Sequence, residues 1–165
     1  MSKVLTIPLS AEGFKKAAEW LRDYARKLPK LCEDFIANMI EAGETYAING
    51  VGHIDTGETV GTIIGYRNGN KGVIVAGGNA IWIEFGTGVV KNGPGYNHPK
   101  AQELGMSAHG TYGEGHGASF NGWWYKGDDG EYHHTMGIPA NRFMYNTAQM
   151  LRKEYPRLAK EVFDK

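Results

Sequence analysis

The chain has 165 residues, 41% of them hydrophobic and 22% charged, which suffices for one folded domain with a real core. Eighteen basic residues balance eighteen acidic ones, so the basic excess of a protein that grips nucleic-acid phosphates is missing. The single cysteine, Cys32, excludes an intrachain disulfide, and no stretch approaches the roughly 20 apolar residues of a membrane span.

Met1 to Leu9 is too short and mixed for a signal segment, so a soluble product made in the cytosol is expected. Ser10 is placed to cap a helix beginning near Ala11. Phe14, Ala17, Leu21, Tyr24, Leu28, Leu31, Phe35 and Met39 then recur in steps of three and four, the signature of one helix face. Pro29 falls inside this run without shifting its phase, which predicts one kinked helix or two abutting ones. Gly43 weakens the end, and the helix should stop by about Asn49-Gly50.

Thr59 to Tyr66 is rich in β-branched residues and reads as a strand. Asn68-Gly69 is a hairpin signal, Gly72 to Ala76 the return strand, and Gly77-Gly78-Asn79 a second turn. Ala80 to Phe85 reads as a third strand, with Ile81, Ile83 and Phe85 on one face and Trp82 and Glu84 on the other. Together these predict an antiparallel β-meander with one buried face.

Twelve of the 24 glycines lie between Gly86 and Gly130, which marks a special segment within one domain. Residues 87–136 form a long arm inserted into that domain, with no helical period. Its aromatics, Tyr96, Tyr112, Phe120, Trp123, Trp124, Tyr125 and Tyr132, are candidate interface residues, because disordered linkers are poor in such side chains. Trp123 to Lys126 and Glu131 to His134 fit a small hairpin around Gly127-Asp128-Asp129-Gly130. The last segment is helical again, with Pro139 near its start and Met144, Ala148, Leu151, Tyr155, Leu158 and Val162 at helical spacing. Pro156 predicts a kink or break near Glu154. The expected architecture is α+β, with the C-terminal helix packed on the sheet.

Chemistry-bearing residues are few. His98, His109, His116, His133 and His134 match no zinc-finger or His-Glu-x-x-His spacing and read as loop or interface residues. Gly113-x-Gly115-x-Gly117 lacks the flanking strand, helix and Lys-Ser/Thr of a phosphate loop. Cys32, beside Leu31 on the apolar side of a helix, reads as a small buried hydrophobe; the competing reading is a thiol nucleophile. Glu41/Glu44 and Asp128/Asp129 are ordinary helix-face and turn carboxylates. No cofactor, metal or catalytic residue is expected. Trp123, Trp124 and Tyr125 also suit a glycan- or protein-binding module, and a cysteine or metal hydrolase is a third reading.

Three patterns in order carry a resemblance: His53-Ile54-Asp55-Thr56-Gly57, Ala80-Ile81-Trp82-Ile83-Glu84-Phe85-Gly86-Thr87-Gly88, and Gly137-Ile138-Pro139-Ala140-Asn141-Arg142-Phe143-Met144. Together they resemble the minor tail-component family of long-tailed double-stranded DNA bacteriophages, over about residues 11 to 86 and 137 to 163. Where that family has a basic residue and Ser after the Asp-Thr-Gly turn, this chain has Glu58, Thr59 and Val60. The resemblance implies a non-enzymatic structural virion protein with a head–tail joining, tail-completion or tail-terminator role. It implies assembly in the bacterial host cytoplasm into a homo-oligomeric ring, often hexameric, in the neck or tail. The implied partners are other copies of the chain, the tail tube and the head connector, with DNA passing through the ring without sequence-specific binding. In this reading Asp55, Thr56 and Gly57 form a turn, and Phe85 ends a strand before Gly86, Thr87 and Gly88 release the chain. Glu84 is placed to pair with Arg142, to pair with a neighbouring subunit, or to lie in solvent. Pro139 sets the entry of the last helix, and Phe143 buries in the core.

Overall fold

In the computed structural model, which describes residues 6–51, 57–86, 98–100, 103–104, 123–135 and 140–164, the first apolar stripe forms one uninterrupted helix, α1 (Ala11–Val51). Gly13 N donates to Ser10 Oγ at 3.0 Å, so the expected cap is in place. Pro29 sits within α1 where the surrounding turns are exposed, so water can serve the carbonyl that proline leaves without a donor.

A single 3₁₀ turn, Val60–Thr62, leads into the hairpin β1 (Ile64–Asn68) and β2 (Lys71–Val75). The strands pair antiparallel from Ile64↔Val75 to Asn68↔Lys71, which makes Gly69 and Asn70 the two loop residues, one position later than expected. Gly69 has φ 58°, a left-handed conformation that this tight connection requires.

The expected third strand is a helix. Ala80–Phe85 forms the short α2, so the meander is a two-stranded hairpin followed by a helical turn. A six-residue apolar run fits either state by pattern alone. The helix places Ala80, Ile83 and Glu84 on one side, at i, i+3 and i+4, and all three are buried. A strand would have sent Ile83 and Glu84 to opposite faces.

Farther along, β3 (Trp123–Lys126) and β4 (Tyr132–Thr135) form the expected small hairpin. Gly130, with φ 83°, and Asp129, whose Oδ1 accepts from Glu131 N at 3.0 Å, shape its turn. The chain ends in α3 (Phe143–Phe163), which continues through the exposed Pro156 without a break. The architecture is thus α+β: a long helix, two antiparallel hairpins and a terminal helix.

α3 packs chiefly along α1 rather than on the sheet, and the two run antiparallel. Phe143 Cβ lies 3.1 Å from where a Gly50 side chain would begin. Leu151 reaches Gly43, and the Phe35 ring meets Tyr155 and Phe163 at 5.3 and 5.8 Å. The core sits at the C-terminal end of α1, where Ala47, Val51, Ile63, Ala80, Ile83 and Phe143 pack together.

The first hairpin locks onto α1 through missing side chains. Its helix-facing residues are Gly65, Arg67, Gly72 and Ile74, paired across the strands as Gly65↔Ile74 and Arg67↔Gly72. A Cβ on Gly65 would lie 2.3 Å from Ile40 Cγ2, and one on Gly43 would lie 2.1 Å from Ile74 Cδ1. Gly43 is therefore a contact point inside the helix, not a sign of its end. Glu44 Oε1 accepts from Gly65 N, and Arg67 Nη1 lies 3.1 Å from Glu33 Oε1.

Gly65→Ala tests this close approach. Strand propensity alone would favour alanine, but overpacking against Ile40 should cost about 1–3 kcal/mol in urea unfolding. An unchanged or raised stability would show that the hairpin can move off α1.

Candidate functional site

The site with the most buried polar chemistry lies where α2 meets the start of α3. α3 begins without a cap of its own. Arg142 precedes it with φ 64° and ψ 28°, and no Arg142 side-chain atom bonds the first turn. The first N–H groups of a helix need acceptors, and Glu84 provides them from α2. Its Oε2 accepts from Met144 N at 2.8 Å, and its Oε1 from Tyr145 N at 2.9 Å. Two backbone bonds hold the elements in line: Asn141 N donates to Ile83 O at 2.9 Å and Arg142 N to Glu84 O at 3.2 Å. Glu84 is therefore buried and contacts the third motif through backbone amides, instead of lying in solvent as one of its three expected roles had it.

His98 completes the cluster. Its Nε2 lies 2.8 Å from Glu84 Oε1, and both side chains are buried. His98 Nδ1 accepts from Lys100 N at 3.0 Å, so Nδ1 carries the lone pair and Nε2–H donates to Glu84 Oε1. The ring packs against Phe85 at 4.4 Å and edge-on to Tyr145 at 5.4 Å. A histidine expected in a loop or interface thus fastens its segment to the core. A buried carboxylate with three donors and the positive end of a helix is well compensated.

Both oxygens of Glu84 are engaged, and both nitrogens of His98 have partners. Glu84 and His98 line an open pocket together with Lys100, Tyr145, Ile81, Phe85, Leu104 and Met144. Among the described residues, no group of three or more His, Cys, Asp or Glu side chains converges on a metal position.

The other expected residues are scattered. Phe143 is buried at 1% exposure, Phe85 is half-buried, and Gly86 takes φ 76° at the end of α2. Gly57 has φ 91°, as a turn glycine should. Asp55, Thr56, Thr87, Gly88 and Pro139 lie outside the described residues, as do Tyr96, Tyr112, Phe120, His109 and His116. Trp123 belongs to β3 by its backbone. Trp124 and Tyr132 are 67% and 68% exposed, and Tyr125 is also exposed. Trp124 packs edge-on to His134 across the strands, while His133 bonds Asp129 at 2.8 Å. Cys32 is exposed, which corrects its reading as a buried hydrophobe: the ring contacts that α3 makes on this stretch of α1 come from Tyr155 and Phe163 and fall on Phe35.

Sequence reasoning missed the Glu84–His98 pair. The available signal was a carboxylate inside an otherwise apolar run, which in a buried element demands a partner. Comparison with protein-family models, curated proteins and solved structures finds no match.

Glu84→Gln should cost about 1–3 kcal/mol, because one carboxylate oxygen becomes an N–H₂ facing the first turn of α3. Chemical denaturation checks the value. Nitrogen-15 NMR of the His98 ring should show the proton on Nε2; a proton on Nδ1 would contradict the assigned network.

Proposed function

We propose that this chain is a structural, non-catalytic subunit of the neck or tail of a long-tailed double-stranded DNA bacteriophage. It works as one copy in a ring around the DNA channel, with a head–tail joining, tail-completion or tail-terminator role. The observation that carries this reading is the union of the second and third sequence motifs. Glu84 and the segment Asn141 to Tyr145, some 60 positions apart, form one bonded junction. The residues behind the resemblance therefore serve one architectural purpose, as motifs of a scaffold would.

Other features support the same reading. The balanced charge suits a ring that lets DNA pass without gripping it. The β3–β4 hairpin presents Trp124, Tyr125 and Tyr132 outward, and two-stranded hairpins gain stability from burial against a partner. A neighbouring subunit or the tail tube supplies that burial on assembly.

Electron microscopy of the purified protein over a concentration series tests the proposal. Closed rings with a central opening are expected, and Trp124→Ala combined with Tyr132→Ala should weaken them at least about tenfold in concentration dependence. A protein that forms no ring at any concentration, encoded away from portal and tail-tube genes, would refute it. Loss of glycan binding in that variant with intact rings would assign the hairpin to a sugar-binding module instead.

A further inference from the structure

We infer that the N-terminal half of α1 is a self-association surface, which pairs antiparallel with the same segment of a second copy of this chain. Among the described residues, the contacts that hold α3 on α1 run from Gly50 back to Phe35, where Tyr155 and Phe163 meet the Phe35 ring. The apolar stripe that packs there does not stop. It continues toward the N-terminus as Cys32, Leu28, Ala25, Leu21, Ala18 and Phe14, over about 27 Å of helix. Phe14 is 58% exposed and Leu21 55%, and Leu28 and Cys32 are exposed too. Among the described residues, Thr6, Ile7, Pro8 and Ser10 line a groove with Gly13, Ala17 and Trp20 on the neighbouring flank, off the exposed stripe. Single-turn ion pairs such as Glu12–Lys16 and Lys30–Asp34 add only a few tenths of a kcal/mol each to a helix without a tertiary partner.

The spacing of the stripe alternates four and three, the seam of a two-helix coil. Large and small residues alternate along it. Laid antiparallel on a copy of itself, with the two-fold axis at Asp23, the seam meets large against small in every layer. Phe14 faces Cys32 of the second copy, Ala18 faces Leu28, and Leu21 faces Ala25. A parallel pair in register would stack Phe14, Leu21 and Leu28 on their own copies and leave gaps at the alanines. The charge pattern also suits self-pairing: between residues 11 and 34 the helix carries six basic and five acidic side chains. A nucleic-acid or anionic-membrane partner would call for a basic excess. This pairing does not rest on the neck reading. An isologous contact closes on itself as a dimer, so ring formation and this contact succeed or fail separately.

Sedimentation over a concentration series of the full chain carrying Trp124→Ala and Tyr132→Ala, in which ring contacts are weakened, should show a monomer–dimer equilibrium. Leu21→Glu should weaken it about 100-fold by setting a charge against Ala25 of the second copy. Leu21 is exposed within the subunit, so circular dichroism should be unchanged. Phe14→Cys should give a covalent dimer under mild diamide oxidation, and adding Cys32→Ala should abolish it. A monomer at every concentration, an association untouched by Leu21→Glu, or rapid crosslinking of the wild type through Cys32 alone would overturn the proposal.

Discussion

The placement of α3 depends on one carboxylate. The residue before the helix, Arg142, sits in the left-handed region with no side-chain bond to the first turn, so the cap comes from Glu84 on a different element. That bond sets the angle at which α3 leaves α2, and so where Phe143 enters the core. It also fixes His98 through the same oxygen, joining an otherwise separate piece of chain to the helix start. Burying the charge is tolerable only because three donors and the helix dipole meet it together. Removing any one leaves a desolvated polar group behind, so the cluster acts as a unit.

The second constraint is close approach. Gly43, Gly65 and Gly72 let the hairpin and α1 touch at Ile40 and Ile74, with backbone near backbone. This contact and the α3 packing both use the C-terminal half of α1. The long helix therefore has two regimes: one half anchored by sheet and helix, the other beyond the contacts that hold α3, with its apolar side exposed.

Buried polar chemistry and exposed aromatic surface lie on different elements of the described structure. The buried carboxylate and imidazole are consumed by structure, while the exposed aromatics stand on a hairpin apart from them.

The sequence by itself determined the elements whose signals are local. Ser10 and the three-four recurrence from Phe14 onward specify α1, Trp123 to Thr135 specifies the distal hairpin, and the spacing from Met144 to Val162 specifies α3. Each depends on neighbours within a few positions, so periodicity and turn chemistry suffice. Only the tertiary structure decided the state of Ala80–Phe85, the role of Glu84, the burial of His98 and the exposure of Cys32. Alternation and helical period are nearly degenerate over six residues, and the choice fell to an unpaired helix start some 60 positions away. The partners of a buried charge, and the neighbours that cover or expose a cysteine, are set by distances in space that adjacency along the chain does not encode.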